Sequence, residues 1–173
     1  MNYPKAYIDY LLEFHGTRDY FECHEIMEEY WKKNKEKHWH TLIQLAVAIY
    51  HERQLNHTGS LRLYRKVLAA LRNNPTPLEN IAIDVEVLET TVKARIKNIL
   101  EDGPYTTMNL PLTDESLVDL CKERCNQENV SWCSEEDFHD FDLIHRHKRR
   151  DRSEVIEERL RSLKEKRRER KGN

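Results

Sequence analysis

The sequence predicts an all-α protein: a compact bundle of about six helices around a buried third helix, with a charged helix at the C-terminal end. Three observations predict it. Four glycines and five prolines in 173 residues are too few for a many-turned β fold. Helix start and stop signals divide the chain into segments of helical length, and no segment carries the alternating period of a strand. The run "LIQLAVAIY" is apolar at every position but Gln44, as in a helix enclosed on all sides.

Pro4 at a first turn followed by "AYIDYLLEF" opens the first helix, which is expected to stop near Gly16. Asp19 followed three residues later by Glu22 forms a capping box for a second helix reaching about Asn34. The third runs from about His38 to Leu55. Asn56 is expected to close it in a left-handed conformation and Thr58 to cap the next. The fourth, "SLRLYRKVLAALRNN", ends before Pro75 and Pro77. The fifth, "DVEVLETTVKARIKNIL", begins at Asp84 and stops near Gly103 and Pro104. "YTTMNLPL" reads as an extended strap, and a further helix follows from Asp114 to about Glu128. The last, Ser153 to Lys171, is almost entirely charged. This organisation gives a helical domain at 1–128 and a charged C-terminal extension at 129–173.

At about 100° per residue, the second helix sorts its polar residues by face. Glu22 and Glu29 point to solvent and Glu25 stands at the flank. His24 and Glu28 fall inside the sector of Phe21, Cys23, Met27 and Trp31. On the third helix Gln44 is expected to be buried, where an unpaired amide costs about 1–3 kcal/mol, so it needs a polar neighbour. His51 lies two turns further along the same stripe. His24, Glu25, Glu28, Gln44 and His51 are therefore the candidate catalytic residues. Two readings stay open. In one, His24, Glu28, Gln44 and His51 form a buried polar network that satisfies itself. In the other, His24, Glu28 and His51 are the ligands of a divalent metal, two imidazoles and a carboxylate suiting zinc or non-haem iron. His24 and Glu28 repeat the i, i+4 spacing of an H-E-x-x-H helix, with Glu25 in the place of the base, but the second histidine is absent.

"FECHEIMEEYW", "LIQLAVAIYH" and "NHTGS" together resemble the domain-of-unknown-function family 309, small all-helical proteins of bacteria and archaea. The resemblance covers roughly residues 10–100. The family pattern falls on Phe21, Glu22, His24, Glu25, Glu28, Trp31, Gln44, Tyr50, His51, Asn56 and Gly59. Leu55 stands where the pattern has glycine, and Ser60 where it has alanine. The resemblance implies a helical fold and no activity.

Other polar groups are weaker candidates. Cys121, Cys125, Cys133 and His139 make a loose Cys3His set whose C-x3-C spacing is not that of a zinc knuckle. Cys23 faces the apolar side, where a cysteine acts as a small hydrophobe. His38 and His40 are expected on the surface. No motif calls for a cofactor, and glycine-rich phosphate loops, nucleophile elbows and CxxC pairs are absent, which counts against nucleotide-dependent and thioredoxin-like chemistry.

The net charge of −2 conceals a division: residues 1–144 carry −9 and residues 145–173 carry +7. The basic segment could meet nucleic acid through residues 145–171, but it has no aromatics to stack on bases, and its acidic residues recur as on a salt-bridged helix. Val155, Ile156, Leu160 and Leu163 give it a thin apolar seam fit to dock on a body or partner. A protein partner or self-association is the expected contact. No apolar run is long enough for a bilayer and no secretion leader is evident, so a cytoplasmic protein away from membranes is expected.

Overall fold

The computed structural model describes residues 2–138, 140 and 142–145, with single positions at 161, 164, 166–168 and 170. Among the described residues the fold is all-α. α1 (Lys5–Leu12) follows Pro4, whose carbonyl accepts from the Tyr7 and Ile8 amides. It does not stop at Gly16 but widens into a π-helical turn, Glu13–Thr17, that Arg18 closes in the left-handed conformation at φ 60°. Glycine at 16 has a steric reason: a β-carbon there would lie 2.9 Å from Val130 Cγ1.

The cap expected at Asp19 is in place, and the helices expected to begin at Asp84 and Asp114 prove to be capped by those carboxylates. Asp19 accepts from the Glu22 amide to start α2 (Tyr20–Asn34), Asp84 from Val87 to start α6 (Val85–Leu100), and Asp114 from Ser116 and Leu117 to start α7 (Glu115–Gln127). α3 spans Lys37–Arg53 and α4 spans His57–Asn73. The turn between them differs from expectation. Leu55 takes the left-handed conformation, at φ 65°, and Asn56 is the cap of α4, accepting from the Gly59 amide at 3.1 Å. Asparagine serves either role; here capping wins, and Leu55 bears the strain, roughly 1–2 kcal/mol. A single turn, α5 (Thr76–Glu79), which follows Pro75 and includes Pro77, was not legible in the sequence. The strap is extended as expected, held by an isolated antiparallel bridge between Ile83 and Leu112.

α3 lies between α2 and α4 and is the most enclosed helix, with Leu42, Ile43, Leu45, Ala46, Ala48, Ile49 and Tyr50 buried. The expectation that it is enclosed on every side needs correction. His40, Gln44, Val47 and His51 form a half-exposed strip along it. Residue type alone did not show this, because Val47 continues the apolar run while sitting on the open side.

The buried polar network lies elsewhere. Arg18, fully buried, donates to the carbonyls of Phe14 (3.1 Å), Met108 (2.9 Å) and Ser134 (2.9 Å) and to Asn109 Oδ1 (2.7 Å). Arg53 donates to the Arg18 carbonyl at 2.8 Å and pairs with Glu136 at 2.9 Å, the two side chains 2% and 1% exposed. Tyr105 and Thr107 each donate a hydroxyl to the other Glu136 oxygen at 2.7 Å. One layer away, Glu52 accepts from Tyr64 at 2.7 Å and from Arg95 at 3.3 Å. Val130, Trp132, Ser134 and Glu136 of the expected extension thus pack on the body, with Ile144 buried beyond them.

His15 joins the same layer. Its Nδ1–H donates to the Leu11 carbonyl at 3.0 Å and its Nε2 accepts from the Leu110 amide at 2.9 Å, which assigns the tautomer and needs a neutral ring. Burial, with Arg18 close by, lowers its pKa from 6.5 to about 4. A depressed histidine contributes stability that is fully present above the unfolded value and is lost as pH falls from about 6.5 through about 4. In an NMR titration the His15 ring is expected to stay neutral down to about pH 5; protonation near pH 6.5 would contradict this packing.

Candidate functional site: the seam between helices two and three

Two ring pairs fix the register of α2 against α3: Phe21 with Tyr50 at 5.9 Å and Trp31 with His40 at 4.8 Å. That antiparallel register sets Glu28 level with Gln44 and His24 level with Val47, with His51 about a turn beyond. Residues at i, i+4 and i+7 on α2 (His24, Glu28, Trp31) therefore face the open strip of α3 across a shallow surface seam.

His24 Nε2 meets Glu28 Oε2 at 2.9 Å, and its Nδ1 lies 3.7 Å from Glu25 Oε1. The His24 and Glu28 side chains are 26% and 37% exposed, so the pair is a surface pair and not part of a dry network. This corrects the reading of the row as a buried polar network. Helix geometry turns His24 and Glu28 toward α3 correctly, but their side chains reach only its margin. Gln44, being half-exposed, reaches water, and the cost of a buried amide does not arise. His51 Nδ1 lies 3.2 Å from Asn56 Nδ2, which ties it to the cap of α4. Among the described residues no three His, Cys, Asp or Glu side chains gather so as to hold a metal, and His24, Glu28 and His51 are not brought together as a ligand set.

His38 and His40 are not free surface residues. His38 lies against Trp39 at 4.2 Å and His40 against Trp31, the rings tilted in both pairs, and desolvation lowers the pKa of both; Glu28 opposes the shift at His40 from across the seam. Cys23 is buried with its thiol 3.5 Å from the Tyr10 carbonyl, and burial pushes its pKa well up, the opposite of an activated nucleophile. Burial likewise raises Cys121, to about 12, and Cys125. His139, the fourth member of the loose zinc set, lies outside the described residues. Sequence reasoning missed Arg18, Arg53 and Glu136 altogether. The one available signal was Arg53, a charge placed one turn after an apolar run.

A family model, Domain of unknown function (DUF309), matches residues 7–63, which take in most of α1, all of α2 and α3, and the whole seam. Over 165 residues the chain is 40% identical to a Bacillus subtilis (strain 168) protein, "Uncharacterized protein YpuF", covering 93% of this chain and 95% of that one. The chain belongs to the DUF309 family. No solved structure matches it. Neither description carries an activity. The DUF309 match ends before Arg95, Tyr105, Thr107 and Glu136, so the partners that neutralise Arg53 and Glu52 come from beyond it. Among the described residues no helix is long and apolar enough to cross a membrane.

Elemental analysis of tag-free protein is expected to give well under one metal per chain, unchanged in His24→Ala and His51→Ala. Stoichiometric metal lost in both variants would instead establish His24, Glu28 and His51 as ligands.

Proposed function

We infer that the protein is a cytoplasmic helical interaction module, in which the helical body is a rigid platform and the basic C-terminal extension is the contact element for an acidic protein partner. One observation carries the reading. Inside the body Arg53 is paired with Glu136, Arg95 with Glu52, and Arg18 is bonded to backbone carbonyls, whereas Lys164, Lys166, Arg167, Arg168 and Arg170 of the extension are exposed. Clustered exposed cations raise the association rate with an acidic surface and make it dependent on salt. The absence of aromatics beyond Phe141 favours a protein surface over single-stranded nucleic acid.

A second reading, a small metal-binding or hydrolase-like protein, is favoured by the accessibility of His24 and Glu28. An imidazole bonded to a carboxylate, with Glu25 beside it, is an arrangement suited to proton transfer. It lacks an activated nucleophile, since the Cys23 thiol is buried and held protonated.

The interaction reading is tested with a photo-crosslinking amino acid at Lys164 of the full chain in cells. A discrete protein adduct is expected, resistant to nuclease. Combined Lys166→Gln, Arg167→Gln, Arg168→Gln and Arg170→Gln should reduce it about tenfold. A nuclease-sensitive adduct, or one indifferent to the loss of charge, would contradict the reading.

A further inference from the structure

The C-terminal ends of α3 and α6 meet around a cleft of about 260 Å³, with Glu52, Leu55, His57, Ile99, Asp102 and Pro104 in its wall. α3 ends at Arg53 and α6 at Leu100. After each end the chain turns left-handed at a residue of the cleft, Leu55 at φ 65° and Asp102 at φ 54°. The volume lies below the range of about 300–1,000 Å³ that takes drug-sized ligands, so an occupant has to be small. The wall is mixed, and its polar part is acidic.

Its two carboxylates are incompletely satisfied. Glu52 is 2% exposed. A carboxylate can accept about four hydrogen bonds, and that of Glu52 takes the Tyr64 hydroxyl at 2.7 Å and Arg95 at 3.3 Å. Arg95 is a shared partner, because the same nitrogen donates to the Thr106 carbonyl. Burial raises the Glu52 pKa against the opposing pull of Arg95, Tyr64 and His57. Asp102 is exposed, and among the described residues its carboxylate makes no ion pair or hydrogen bond. Arg95 balances one of these two acids, so the cleft keeps one negative charge in excess when His57 is neutral. The backbone acts in the same direction. Two helices end at the cleft, where the negative end of a helix dipole favours a cation; α4, which begins at His57, opposes them with one positive end.

We propose that this cleft binds a primary ammonium group on a short alkyl chain, the ammonium at Glu52 and Asp102 and the chain against Leu55, Ile99 and Pro104. An ammonium has three donors and no acceptor, which suits the acceptor positions left on the two carboxylates. An anion would meet both acids. A bare metal ion would leave the apolar wall unused, and among the described residues no three His, Cys, Asp or Glu side chains gather to hold one. A neutral molecule would leave the excess charge unmatched. Two sources share the ammonium chemistry, a small free amine and a lysine side chain of another protein.

NMR titration of the isotope-labelled full chain with n-butylammonium chloride, at constant ionic strength, tests this independently of the interaction reading. The Leu55, Asp102 and Gly103 amides are expected to shift and saturate, with n-butanol binding at least tenfold more weakly. Asp102→Asn should weaken butylammonium at least fivefold without moving the thermal midpoint, since asparagine occupies the left-handed region readily. Glu52→Gln should weaken it further; if that variant fails to fold, Asp102→Asn alone decides. Nα-acetyl-lysine methylamide, titrated in parallel, separates the sources. Binding as tight as that of butylammonium supports the proposal with a lysine side chain as ligand, and binding at least fivefold weaker supports it with a free amine. Shifts that do not saturate, an equal response to n-butanol, or undiminished affinity in Asp102→Asn would overturn the proposal.

Discussion

The structure depends on two arginines that cannot reach water. Arg18 and Arg53 come from the first third of the chain, and their guanidinium groups face the interior, where an isolated cation is untenable. The first three helices and their turns offer too little: Arg18 finds the Phe14 carbonyl four residues back, and Arg53 finds the Arg18 carbonyl 35 positions back. The remaining partners are Met108, Asn109, Ser134, Glu136 and the Leu143 carbonyl, from 83 to 116 positions away. The strap and the segment after α7 are thereby required to fold back over α1 to α3. His15, taking the Leu110 amide, and Ser134, donating to the Gly16 carbonyl, follow from that closure. So does the glycine that lets Val130 approach.

Buried ion pairs seldom add much stability beyond what a well-packed apolar pair would give, but removing one partner leaves a charge stranded. The network therefore acts as a specificity device for where the C-terminal third of the body lies. It also explains why the polar residues that drew notice in the sequence are not the ones inside. His24 and Glu28 sit at the margin of α2, bonded to each other with water at hand, whereas Arg53 and Glu136 exclude it.

The helices were legible because their signals are local. Asp19, Asp84 and Asp114 each cap a helix within three residues of themselves, and the apolar run of α3 marks it as the central helix, though not its open strip. The turn at 55 and 56 was read one residue out, since asparagine fits both a left-handed closure and a cap. The interior network was not legible, because a buried arginine and a solvated one are the same letter, and Arg53 and Glu136 carry no periodic relation across 83 positions. For the seam, periodicity assigned His24 and Glu28 to the correct side of α2. Their depth depended on the strip of α3 opposite, which the apolar character of Val47 concealed.

The central claim is that Arg53 and Glu136 act as a unit holding the C-terminal segment to the core. A double-mutant cycle with Arg53→Met and Glu136→Met, read by urea unfolding of the full chain, tests it most directly. Each single variant is predicted to lose about 3–5 kcal/mol, and the double to lose less than their sum by about 1–3 kcal/mol. Single losses within about 0.5 kcal/mol of the parent that simply add would place the pair at an ordinary surface and contradict the account.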